Sequence, residues 1–133
     1  MITTLDVLSV GSLNSNDFVR DVLLSRTKCR LFAVASVWDL SAILTSGKVD
    51  VAILHNTLSP GELRSCAVYI RHHWPAARIL LIHARVEILD DPMYDERMSP
   101  DLSAESLLSM IERLAASSRR SARSVSSEER NQQ

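Results

Sequence analysis

Glycine is scarce in this chain, with Gly11, Gly47 and Gly61 the only three in 133 residues. Val10-Gly11-Ser12-Leu13-Asn14 holds a single glycine, and no G-x-G-x-x-G, Walker or G-x-S-x-G spacing occurs, which excludes the usual phosphate loops and the nucleophile elbow. Cysteine is scarcer. Cys29 and Cys66 stand far apart without Cys-x-x-Cys spacing, so a disulfide scaffold or a zinc knuckle is excluded. They read as two free, mostly buried thiols packing as small hydrophobes. Aromatics are 5% of residues, which leaves the core to Leu, Val, Ile and Ala. No apolar run reaches the roughly 18 residues of a membrane span, and the N-terminus lacks a basic-then-apolar pattern, so the expected location is the cytoplasm. A formal charge of −1 gives no basic excess, against a dedicated nucleic-acid binder.

What is present is a 46% hydrophobic chain, enough for one real core and one domain. β-rich runs alternate with amphipathic stretches from Leu5 to Ala116. Leu5–Val10 is the first run, followed by Asn14, Ser15 and Asn16 as candidate caps and by a helical stripe of Phe18, Val19, Val22 and Leu23. Arg30–Ala35 is the second run; Ser36 then caps a helix from Val37 to Thr45, closed by Gly47. Val49–Leu54 is almost continuously apolar, as in a parallel strand covered on both faces. Leu58-Ser59-Pro60-Gly61 turns into a third helix bearing Leu63, Ala67, Ile70 and Trp74, ended by Pro75. Arg78–Ala84 reads as a fourth strand, Tyr94 between Met93 and Met98 as a short fifth, and Leu107, Leu108, Ile111 and Leu114 as the inner side of a last helix starting near Ser103. Trp38 and Trp74 read as helix-layer packing. The order predicts right-handed βαβ units and a parallel sheet between helix layers. The Ser/Arg-rich segment 117–133 has one aliphatic residue, Val125, and is expected to be a disordered tail. Its Arg119, Arg120 and Arg123 read as solubilising charges, and the acids from Glu87 to Glu96 as a solvated loop without calcium-loop spacing.

This order, with Asp50, the apolar run Val51 to Leu54 and the Leu58-Ser59-Pro60 turn, resembles the receiver domain of bacterial response regulators. The resemblance implies a doubly wound, three-layer α/β flavodoxin-like fold, sheet order 2-1-3-4-5, over residues 1–116, with a shortened fourth helix. It also implies a site at the carboxyl edge of the strands. In that family two acids after the first strand and a phosphoacceptor Asp after the third bind Mg²⁺. A Thr or Ser after the fourth strand and a Lys after the fifth bind the phosphoryl oxygens. Here Gly11 and Ser12 fall on the acid pair, His55 on the phosphoacceptor and His83 on the Thr/Ser position. The Lys position falls on Arg97 or Pro100, depending on the direction of counting.

The resemblance therefore implies a stand-alone pseudo-receiver, with no catalysis and no resident cofactor, that signals by contact with a kinase, a regulator or a second copy of itself. Tyr94, Arg97 and Glu105 are the expected interface. The alternative is a small-molecule or metal sensor using the emptied pocket with His55 and His83 as anchors, or another flavodoxin-like domain such as an anti-sigma-antagonist-like one. A zinc site would need a third ligand, and Asn56, Ser12 and Ser36 are poor ones, so the plainer reading of His55 and His83 is a hydrogen-bonded, non-catalytic pair. His72 and His73 lie at the far end of the third helix.

Overall fold

The computed structural model describes residues 4–42, 48–84, 88–89 and 93–131, the side chains of the last helix as far as Arg120. The strands are β1 (Leu5–Val10), β2 (Cys29–Val34), β3 (Val51–His55), β4 (Arg78–Ile82) and β5 (Glu96–Met98). The helices are α1 (Leu13–Arg26), α2 (Val37–Leu40), α3 (Pro60–His73) and α4 (Ala104–Asn131). All pairings are parallel, in the order β2-β1-β3-β4-β5. The sheet order and the short fifth strand follow the sequence reading.

Alternation along the strands divides the core. Leu8, Val10, Ala52, Leu54, Ile79 and Leu81 point toward α2 and α3, where Leu40, Leu63, Cys66 and Ile70 meet them. Leu5, Val7, Val51, Ile53, Leu80 and Ile82 point toward α1 and α4, against Val19, Leu23, Leu107 and Ile111. Each fully buried Leu or Ile contributes about 1.5–3 kcal/mol, so β3, buried along its whole length, is the keel of the fold.

Helix ends follow local chemistry. Ser12, not Asn14, Ser15 or Asn16, caps α1, its Oγ accepting from the Ser15 N–H. Ser59 and Glu62 form a reciprocal capping box at α3, with Pro60 in the first turn. Three expectations need correction. α4 does not stop at Ala116: the stripe Leu107, Ile111, Leu114 continues to a buried Ser118, whose Oγ donates to Ala76 O at 2.7 Å. Arg119 is no mere solubilising charge, since its guanidinium lies 3.6 Å from buried Asp50 and donates to Thr4 O. Trp38 is 84% exposed, because the described turn of α2 buries Leu40 alone. The part of the second helix expected at 43–45 and its closing Gly47 lie outside the described residues. So does most of the acidic connection before β5, whose described residues form no α-helix.

Candidate functional site

Strand parity builds the carboxyl edge of the sheet. β1 and β3 run in register with Ser9 opposite Ile53 and Val10 opposite Leu54, so Gly11 comes level with His55. Val7, Ser9 and Gly11 share a face with Val51, Ile53 and His55, the face that α1 covers. Asn16, one turn into α1, completes the group.

The result is a closed polar network in an apolar setting. His55 Nε2 lies 2.8 Å from Ser9 Oγ, and Ser9 Oγ donates to Asn16 Oδ1 at 2.8 Å. The Asn16 amide N–H₂ donates to two carbonyls, Gly11 O and Val34 O, each at 3.2 Å. Those carbonyls fix the amide orientation and leave Oδ1 for Ser9. Because the single Ser9 proton goes to Asn16, His55 Nε2 must carry the proton in its own bond to Ser9. The imidazole is therefore the Nε2–H tautomer. Burial pushes its pKa down from 6.5 to about 4, so it is neutral at physiological pH. His55 is 4% exposed and Ser9 fully buried.

Gly11 is required by this arrangement. A Cβ there would come 2.7 Å from His55 Cβ and 2.9 Å from the ring, a clash with an immobile neighbour. Above the network, Ser12 N–H donates to Thr57 Oγ1 at 2.9 Å, tying the loop after β1 to the loop after β3.

His83 follows β4 by one residue, at the same edge as His55. Its N–H donates to Met98 O at 3.0 Å, and its carbonyl accepts from the half-buried Arg97 guanidinium at 2.7 Å. Arg97 therefore clamps the ends of β4 and β5 together. The first residue after β5 is Ser99, whose hydroxyl donates to Asp101. Glu105 is exposed and pairs with Arg26 at 3.2 Å, while Tyr94 is half-buried against the α2/α3 side of the core. Among the described residues no group of three or more His, Cys, Asp or Glu is placed to hold a metal ion.

The buried carboxylates lie at the opposite edge. Asp6 and Asp50 stand at the amino ends of β1 and β3, where Asp50 Oδ2 accepts from Asp6 N–H at 3.0 Å. Arg30 pairs with Asp6 at 2.7 Å, and Lys48 and Arg119 approach Asp50 at 3.7 and 3.6 Å. This edge holds the N-terminal and C-terminal segments together and carries no open site.

Sequence reasoning missed Ser9, Asn16 and Thr57. Ser9 had a readable signal: a hydroxyl inside a wholly apolar strand needs a buried partner. Asn16 had an equivocal one, because its position also suits a cap.

No family model matches the sequence, and no curated protein matches it. Similar solved structures include the signal receiver domain of an HD domain-containing protein from Pseudomonas fluorescens Pf-5, with 15% identity over 90% of this chain and 99% of that one, at TM-score 0.72. The chemotaxis response regulator CheY4 of Vibrio cholerae gives 16% identity over 84% and 99%, at TM-score 0.70. A CheY-like receiver domain protein from Methanospirillum hungatei JF-1 gives 12% over 90% and 99%, at TM-score 0.71. The fold is that of CheY-like receiver domains.

Proposed function

We propose that this chain is a degenerate receiver: a signalling module that acts through protein contact, without aspartyl phosphorylation. One observation carries the reading. At the end of β3, where the receiver fold keeps its phosphoacceptor Asp, stands a neutral His55 locked to Ser9 and packed on Gly11. Forming an acyl phosphate there needs a carboxylate, and holding Mg²⁺ beside it needs more of them. Gly11 and Ser12 supply none, and His83 and Arg97 are engaged in joining β4 to β5. The role left to the fold is recognition by a kinase, a regulator or a second copy.

The contact surface under this reading is the groove between β5 and the first turns of α4, about 440 Å³, lined by Met98, Glu105, Ser106, Ser109, Met110 and Arg113. It adjoins Arg97 and includes Glu105. The protein is expected to gain no mass after incubation with acetyl phosphate and Mg²⁺, read by intact-mass spectrometry. One phosphate per chain would overturn the proposal.

A further inference from the structure

The outer face of α3 carries an observation independent of that reading. Arg64, Val68, Arg71 and His72 recur at i, i+4, i+7 and i+8, which places them in one stripe. Two clefts lie along it and share Met93. The first, about 300 Å³, is lined by Pro60, Gly61, Arg64, Ile88, Leu89 and Met93. The second, about 370 Å³, is lined by Ala67, Val68, Arg71, His72 and Met93. Their centres are about seven residues apart on α3, or ~10 Å, the distance between residues i and i+7 of a helix laid alongside. The walls are aliphatic and methionine, which adapts to a partner's side chains.

The charge is one-sided. Among the described residues no carboxylate lines either cleft. Asp95 answers both Arg71 and Arg78, at 3.1 and 3.4 Å, and none of the described acids pairs with the exposed Arg64. His72 is exposed and adds a further charge when protonated. We infer that this stripe docks an acidic amphipathic helix of a protein partner, whose apolar residues at i and i+7 enter the two clefts while its carboxylates meet Arg64, Arg71 and His72.

The test uses the full chain and two fluorescein-labelled peptides of about 18 residues, five turns of helix. One repeats Leu at i, i+3, i+4 and i+7 with Glu on both flanks; its twin has Lys for Glu. Fluorescence anisotropy should show saturable binding of the Glu peptide and at least roughly tenfold weaker binding of the Lys twin. Arg64→Glu and Val68→Asp, both at exposed positions, should each cost roughly tenfold in affinity with an unchanged circular dichroism spectrum. Glu105→Lys, on the β5–α4 groove, should change nothing, which separates this surface from the one under the proposed function. Equal binding of both peptides, no binding of either, or binding that survives Arg64→Glu overturns the inference. Binding that appears only in a Glu87→Gln/Asp90→Asn/Asp91→Asn variant overturns it too, since the chain's own acids would then fill the groove.

Discussion

A buried histidine is useful only if its hydrogen bonds close, and His55 shows how narrowly that condition is met. Ser9 has one proton and Asn16 has one free acceptor, so the tautomer of His55 is dictated two bonds away. Protonating His55 would bury a charge with no carboxylate beside it, which is why its pKa falls to about 4. The linkage sign follows. Between the unfolded pKa near 6.5 and the folded one near 4, the unfolded chain binds a proton that the folded chain refuses, so stability is lost as pH falls through that window. The loss amounts to about 3 kcal/mol and levels off below pH 4. Urea unfolding at a series of pH values should show this slope in the native protein. A His55→Gln variant, which cannot titrate, should lack it; equal slopes would contradict the assignment. Gly11 makes a second test at this scale. A methyl group there meets His55 Cβ on the neighbouring strand, where neither backbone can yield, so Gly11→Ala should cost about 1–3 kcal/mol in denaturant midpoint.

Among the elements, α4 departs most from what its composition suggests. A Ser/Arg-rich stretch cannot build a core of its own, and on that ground the fold was expected to end at Ala116. Tertiary partners outweigh composition here. Ser118 finds Ala76 O, and Arg119 finds both Asp50 and Thr4 O, so one helical turn beyond Ala116 is anchored to the amino edge of the sheet. Removing that turn leaves Asp50, only 1% exposed, with Lys48 at 3.7 Å as its remaining cation. A chain cut after Ala116 should therefore be less stable than one cut after Arg120, by about 1–3 kcal/mol in urea. If the two unfold alike, the anchor contributes nothing. The strands and α3 were legible because their signals are local: β3 is a run of apolar residues, and Ser59-x-x-Glu62 behind Leu58 is a helix start written in four letters. α4's anchor was not legible, since Asp50 and Arg119 lie 69 positions apart and only the folded sheet brings them together.

At the scale of the whole molecule, the distribution of charge is the decisive feature. A neutral total conceals two unlike edges: the amino edge holds the buried carboxylates Asp6 and Asp50 with their cations, while the carboxyl edge holds a neutral hydrogen-bonded plug of Ser9, Asn16 and His55. The absence of acids from positions 11, 12 and 55 could be read from the sequence, but their replacement by a sealed network needed Ser9 and Asn16 in space. This polarity gives a thermodynamic test that requires no covalent chemistry. A site that binds Mg²⁺ only in the folded state stabilises it by RT ln(1 + [L]/Kd), which is roughly 2 kcal/mol at a twentyfold excess over Kd. For a domain of this size, stabilisation of that order raises Tm by several degrees. The carboxyl edge offers Mg²⁺ no carboxylate. At the amino edge, Asp6 and Asp50 are already engaged by Arg30, Lys48 and Arg119, so a cation there would have to displace bonded partners. Millimolar Mg²⁺, compared with the same ionic strength of NaCl, should therefore leave Tm unchanged. A His55→Asp variant should give the same result in Mg²⁺, because one carboxylate facing Gly11 and Ser12 is still not a cage. A Mg²⁺-specific rise of several degrees in the native protein would mean that the plug opens and that carboxylates from elsewhere in the molecule reach the cation.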